Sequence, residues 1–159
     1  MADDFKSQMA IVLNNLRIST ERHILNGLKQ SCPKILEVIF NDRDWQDDTY
    51  NLRDSFGYGI YVNGSLIHKG YLNDSPLAQR PARKKYRGRD VIGREELESF
   101  FNEYDARLKT GIEVVFVAGI YYANILEFKK LLNGFINGEE EAKKQFIDAL
   151  RSNKIPIKR

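Results

Sequence analysis

The segment Arg80-Pro81-Ala82-Arg83-Lys84-Lys85-Tyr86-Arg87-Gly88-Arg89 is the part of this chain best equipped to hold a ligand. Six of its ten residues are cations, none is an acid, and a tyrosine stands among them. Lysines would meet phosphates as point charges and arginines as two-pronged forks, with the aromatic ring stacked alongside. The same residue types fit an acidic face of a neighbouring copy, such as its Asp42–Asp48 stretch, or a solvated charge run. Setting these six aside leaves 19 bases against 22 acids, so the net +3 becomes −3 and the positive character is local. Arg80, Arg83, Lys84, Lys85, Tyr86, Arg87 and Arg89 are therefore the candidate residues for touching DNA or a protein partner.

Other chemistry is sparse. His23 and His68 lie far apart and outside any spaced ligand motif, so no metal is expected. Asp42, Asp44, Asp47 and Asp48 lack the glycine and glutamate that a calcium loop needs at its sixth and twelfth positions. Gly59-Ile60-Tyr61 is similar to the first motif of GIY-YIG nucleases. No Tyr-Ile-Gly accompanies it, and strand alternation already accounts for the tripeptide. Cys32 is the only cysteine, which rules out an intramolecular disulfide, and its place before Pro33 in an apolar stretch predicts a buried or half-buried thiol rather than a reactive one. Without a phosphate loop, nucleophile elbow or Cys/His pair, the expectation is a protein that is not an enzyme and takes no cofactor.

These candidates need a scaffold, and 159 residues at 42% hydrophobic content suit one domain spanning 1–159. The opening residues show no basic-then-apolar leader, and no apolar run reaches 18 residues, so the expected setting is a reducing cytoplasm without membrane contact. Phe5, Met9, Val12, Leu13, Leu16, Ile24 and Leu28 recur at helical spacing, predicting one long helix or two with a break near Ser19. Pro33 is expected to stop that helix and open a short second one. Phe56, Tyr58, Ile60 and Val62 alternate up to Asn63-Gly64, the signature of a hairpin with a tight turn, and the return strand is Ser65–Tyr71. On it, Leu66 and His68 should share one face, and Ile67 and Lys69 the other.

Residues 72–93 lack periodicity and read as an extended basic loop projecting into solvent or against a partner. Glu95–Leu108 is predicted helical, ended by Gly111, and Ile112–Ala118 reads as a buried central strand. Helices are expected over 122–132 and 139–152, the latter within a C-terminal helical extension, 134–159. The predicted fold class is α+β: a small, mostly antiparallel sheet with a long N-terminal helix, a C-terminal helix, and the basic loop inserted after a β-hairpin.

Two segments together carry a family resemblance. Asp48-Thr49-Tyr50-Asn51-Leu52-Arg53-Asp54-Ser55-Phe56-Gly57-Tyr58, leading to Asn63-Gly64, resembles the Thr-Gly-Asn-Leu-Arg-x-Ser segment and Gly-Tyr strand of tailed-bacteriophage tail-completion or neck proteins. Val115-Phe116-Val117-Ala118-Gly119-Ile120-Tyr121-Tyr122-Ala123, with Glu127, resembles their valine-rich strand, Ala-Gly-Met turn and helix start. Tyr50 stands where the family has glycine, and Ile120 where it has methionine. The matching positions are Thr49, Asn51, Leu52, Arg53, Ser55, Gly57, Tyr58, Ala118, Gly119, Tyr122, Ala123 and Glu127, to which a structural role falls.

The resemblance implies a non-enzymatic virion protein, made in the host cytoplasm. It would form a closed ring of six or twelve copies in the neck, the head–tail connector joining portal and capsid to tail. Its partners would be further copies of itself and adjacent portal, neck or tail proteins, with packaged DNA as a further candidate. The alternative is a nucleic-acid-binding module working through residues 80–89.

Overall fold

The computed structural model describes residues 2–41, 49–82, 85–119, 140, 143–145, 147–148 and 151, with backbone only at 2–5. The fold is α+β, as the residue pattern predicts. Helix α1 (Ala2–Asn41) runs into the short α2 (Asn51–Asp54), then hairpin strands β1 (Phe56–Val62) and β2 (Ser65–Tyr71), helix α3 (Gly93–Glu103) and strand β3 (Ile112–Ala118). The described residues beyond 139 are helical in backbone. The expected helix over 122–132, most of the C-terminal extension, and the acidic turn at 42–48 lie outside the described residues.

Helix α1 takes the unbroken alternative at Ser19 and corrects one expectation: it does not stop at Pro33, which sits inside it. Proline removes the N–H that would bond the carbonyl four residues back, at a cost of about 3 kcal/mol. Cys32, Ile35, Leu36, Ile39 and Phe40 follow or precede it on the face that enters the core. Each fully buried side chain of that size contributes about 1.5–3 kcal/mol, so continuing the helix outweighs the lost bond. The Ser31 hydroxyl also donates to the Gly27 carbonyl at 2.9 Å within the same stretch. Burial pushes the Cys32 thiol up to about 12, so at neutral pH it is a protonated packing group, not a nucleophile.

Among the described residues the sheet has the order β2-β1-β3, antiparallel throughout, so β1 is the central strand and β3 an edge. This reverses the expectation for Ile112–Ala118. The apolar run of β3 matches a strand covered on both faces, but the glycines of β1 decide which strand is covered most closely. A Cβ on Gly57 would lie 2.8 Å from the Leu97 side chain, and one on Gly59 3.3 Å from Phe101. Both glycines let α3 approach the backbone of β1, as strand glycines facing a close neighbour do. Phe56, Tyr58 and Ile60 face the opposite way, into the core beneath α1. Strand β3 alternates likewise, with Val114 and Phe116 packed towards α1, and Val115 and Val117 towards α3.

The hairpin forms where Asn63-Gly64 predicts it, with φ of 50° and 85° at the two turn residues. Its side-chain faces need correction. Ile60 pairs with His68 and Tyr61 with Leu66, so Ile67 is the extra residue of a bulge. The bulge puts Leu66 and His68 on opposite faces. His68 thereby reaches the Tyr58 hydroxyl at 3.3 Å. Beyond the bulge, Lys69 and Tyr71 both turn towards α3, where each donates to the Glu98 carboxylate.

Helix α3 starts two residues before the expected position and ends at Glu103, leaving Leu108 exposed rather than in the apolar stripe. Tyr104 turns the chain into extended backbone, and its hydroxyl donates to Glu113 at 2.7 Å on β3. Gly111 (φ 95°) belongs to the entry into β3, where its N–H donates to the Asn63 side chain.

Tyr50 precedes α2 with φ 59° and ψ 0°, in the left-handed region. The backbone here has the left-handed geometry that glycine adopts freely. Left-handed backbone costs an L-residue about 1–2 kcal/mol, and the Tyr50 ring is exposed, so little packing offsets it. Tyr50→Gly is expected to raise stability by about 1 kcal/mol, read as a higher urea midpoint at unchanged slope.

Candidate interaction surface

The basic segment is a small hairpin, not a free loop, which corrects the expectation of an aperiodic stretch in solvent. Arg87 (φ 50°) and Gly88 (φ 81°) form its two-residue turn, and Tyr86 and Arg89 exchange both backbone hydrogen bonds, at 3.0 and 3.1 Å. The two positive φ values match the turn type that suits the twist of paired strands. Further down, the Ala82 N–H donates to the Val91 carbonyl at 2.8 Å, and both side chains enter the main core. Ala82 and Val91 return the chain to the interior, so, among the described residues of the hairpin, 85–90 project between them.

The base of this hairpin is held by residues of the motif segment. Asn51 is fully buried. Its side-chain oxygen accepts the Gly93 N–H at 2.9 Å, while its amide donates to the carbonyls of Arg80 at 2.8 Å and Thr49 at 3.4 Å. One side chain thus ties down both ends of the 80–93 excursion. Asp54, also buried, accepts the N–H groups of Leu77 at 2.7 Å and Ala78 at 2.6 Å on the approach to it. The sequence reading missed Asp54 and Gly93. Asp54 stands between Arg53 and Ser55 in a largely polar run, so nothing in the sequence marked it for burial.

Other motif residues knit the scaffold beneath. The Ser55 hydroxyl donates to the Leu52 carbonyl at 2.7 Å, and the Ser55 carbonyl accepts the Gly119 N–H at 2.9 Å. Phe56 pairs with Ala118 in the sheet, so two segments some sixty residues apart in sequence meet edge to edge. Leu52 and Tyr58 are core residues, and the Arg53 guanidinium lies 4.9 Å from the Phe40 ring centroid. Thr49 is buried. A Cβ on Gly119 would lie 2.9 Å from the Leu97 backbone, so α3 crosses close to Gly119. Tyr122, Ala123 and Glu127 lie outside the described residues.

At the charged tip the cations differ. Arg89 makes a two-pronged pair with Glu96 of α3, at 2.6 and 2.8 Å, which fixes the hairpin against that helix. Lys85 meets Asp90 at 3.4 Å with both side chains well exposed, a pair of little energetic weight. The Arg87 guanidinium rests 5.2 Å from the Tyr86 ring centroid. Arg80 is exposed, while Arg83 and Lys84 lie outside the described residues. The surface therefore presents positive charge on a pre-shaped turn, with Arg89 acting as a brace.

Elsewhere, the Glu98 carboxylate is satisfied within the fold, whereas His23 Nε2 and the Tyr61 hydroxyl are buried without a hydrogen-bond partner. Burial pushes the Glu98 carboxyl up, but hydrogen bonds from Lys69 and Tyr71 outweigh it and hold the group below the usual range. Arg94 stacks on Tyr71, 3.8 Å from the ring centroid, and donates to the Asn73 carbonyl. With both oxygens engaged, Glu98 clamps β2 to α3. Gly59, Ile60 and Tyr61 are buried in the central strand, with Tyr61 against Tyr104 at 5.2 Å. His68 is held below its ordinary value by burial and then by nearby Lys29. Among the described residues no group of three or more His, Cys, Asp or Glu could hold a metal, and no helix is long and apolar enough to cross a membrane.

Glu113 supplies a pH test of the hinge between α3 and β3. The Leu108 N–H and then the Tyr104 hydroxyl hold its carboxyl below the ordinary 4.5. A lowered folded value means the unfolded chain binds the proton more readily. The stabilisation is thus present above about pH 4.5 and lost as pH falls through the folded value. Urea unfolding between pH 6 and pH 3 is expected to show stability falling in the acid range, and Tyr104→Phe to flatten that fall.

Compared with known proteins, the chain matches no family model, no curated protein and no solved structure.

Proposed function

We propose that this protein is a non-enzymatic structural component of a tailed-bacteriophage particle, forming a ring in the neck between portal and tail. The observation that carries the reading is the convergence of the motif residues. Asn51 anchors the ends of the basic hairpin, and Ser55 joins the second motif segment through Gly119. Their chemistry is that of a scaffold presenting a rigid charged finger, and none of it supplies an activated nucleophile or a free base. In this reading the hairpin reaches an adjacent ring protein or the DNA passage. Antibody-gold electron microscopy of assembled particles tests it: label concentrated at the neck is expected, and particles free of label overturn the reading.

The exposed cations of the hairpin favour one second reading, a nucleic-acid-binding module. Phosphate contacts release counterions, so its affinity for duplex DNA would fall steeply with salt. Replacing Arg83, Lys84, Lys85 and Arg87 by alanine together would abolish that binding. Affinity that is insensitive to salt, or unchanged in the variant, removes this second reading.

A further inference from the structure

Of the cations on the described tip of the basic hairpin, the one at its outermost point has no acid beside it. Arg89 is occupied by Glu96, and Lys85 meets Asp90. Among the described residues Arg87 pairs with no carboxylate, and its contact is the Tyr86 ring, 5.2 Å from guanidinium to centroid. An aromatic face within about 6 Å attracts a guanidinium, and a fork held so loses less freedom when it binds. Arg87 and Gly88 are the two turn residues, and a Cβ on Gly88 would meet nothing within 4 Å. The fork is therefore preset, exposed, and without a carboxylate of its own.

The dimensions of the finger decide what that fork can reach. Its two paired strands lie about 4.8 Å apart before side chains are added. From buried Val91 to Gly88 the chain extends up to about 10 Å, at about 3.3 Å per residue. The major groove of B-form DNA, about 12 Å wide and about 8.5 Å deep, admits a two-stranded ribbon. The minor groove, about 6 Å wide, leaves no room for the side chains. In an RNA duplex the major groove is too deep and narrow for side chains to read. A finger of this width and reach brings its turn to the floor of one groove only. An arginine placed there meets base edges, and the acceptor pair that fits its fork is N7 and O6 of guanine. A finger lying flat across phosphates would instead put weight on Arg89, which Glu96 already holds on two prongs.

We infer that the hairpin enters the major groove of duplex DNA and that Arg87 reads guanine there, while the Arg89–Glu96 pair sets the angle of approach. Cations elsewhere on the segment would meet phosphates, which position a protein without selecting sequence. The inference deepens the second reading, a nucleic-acid-binding module, and rests on it.

The full chain is titrated by fluorescence anisotropy against three labelled duplexes of one alternating G·C sequence: DNA, DNA with 7-deazaguanine throughout, and RNA. The 7-deaza base lacks only the N7 acceptor, so the phosphates and the minor groove stay as they were. Wild type should bind the substituted DNA about fivefold or more weakly than natural DNA, and the RNA no better than the substituted DNA. Arg87→Ala changes an exposed side chain, so circular dichroism and the melting temperature should stay close to wild type. The variant should bind natural and substituted DNA equally, whereas loss of a mere phosphate contact would weaken both and keep their ratio. A wild type indifferent to the substitution, a variant that still discriminates, or preference for the RNA overturns the inference and leaves the nucleic-acid reading standing. Failure to bind any of the three at low salt removes that reading and this inference together.

Discussion

Gly93→Ala is expected to cost about 4 kcal/mol or more, or to prevent folding altogether, the exceptional range reserved for a named structural fault. A Cβ at this position would lie 1.8 Å from the Asn51 carbonyl oxygen, with the Asn51 carbonyl carbon at 2.7 Å. Those are backbone atoms, and no side-chain rotation can relieve the overlap. The N-terminus of α3 would have to move away from α2 by more than an ångström. That movement also breaks the hydrogen bond from the Gly93 N–H to Asn51 and disturbs the seats of Leu97 and Phe101 against β1. Urea unfolding with circular dichroism measures the loss. A variant within about 1 kcal/mol of wild type would show that the α2–α3 junction is not closed as described.

Asn51→Ala is the second large effect, expected at about 3–5 kcal/mol. It leaves the Gly93 N–H and the Arg80 carbonyl without their partner, at about 1–3 kcal/mol for each buried group left unsatisfied. A small cavity in a fully buried site adds to this. Because the hairpin base hangs on the same side chain, hydrogen exchange at Ala82 and Tyr86 should accelerate more than exchange in the β1–β3 pairing. Uniform acceleration across the protein would instead place Asn51 in the global core alone. The Asn51 and Gly93 substitutions act on one junction, so the double variant should fall well short of the sum of the two.

Much of the scaffold was legible because its signals are local. The Asn63-Gly64 turn states its own positive φ values, and the alternation before it states a strand. Gly57 and Gly59 leave room for the close approach that Leu97 and Phe101 make. The helical period from Met9 to Leu28 described the right element, and only its end was misplaced. Proline is a local stop signal, and whether it stops a helix depends on what the next two turns bury, which is a tertiary quantity. The face assignment of β2 failed for a similar reason. A bulge at Ile67 shifts register by one residue, and no residue type at that position demands it.

The candidate surface divides the same way. That residues 80–89 carry an isolated positive charge is a matter of composition and needs no coordinates. That they form a braced hairpin is not, because the brace consists of contacts between separate elements: Asn51 with Arg80 and Gly93 and Asp54 with Leu77 and Ala78 across long sequence separations, and Arg89 with Glu96 of α3. Sequence alone determined the element types, the hairpin turn and the place of the charge, because backbone preference, side-chain period and ionisation are properties of the residues themselves. Only the tertiary structure decided which strand lies at the centre, how far α1 runs past Pro33, and that the base of the charged finger is tied to the core. Those outcomes depend on which buried polar atoms find partners and which apolar faces find cover, and both are settled between segments distant along the chain.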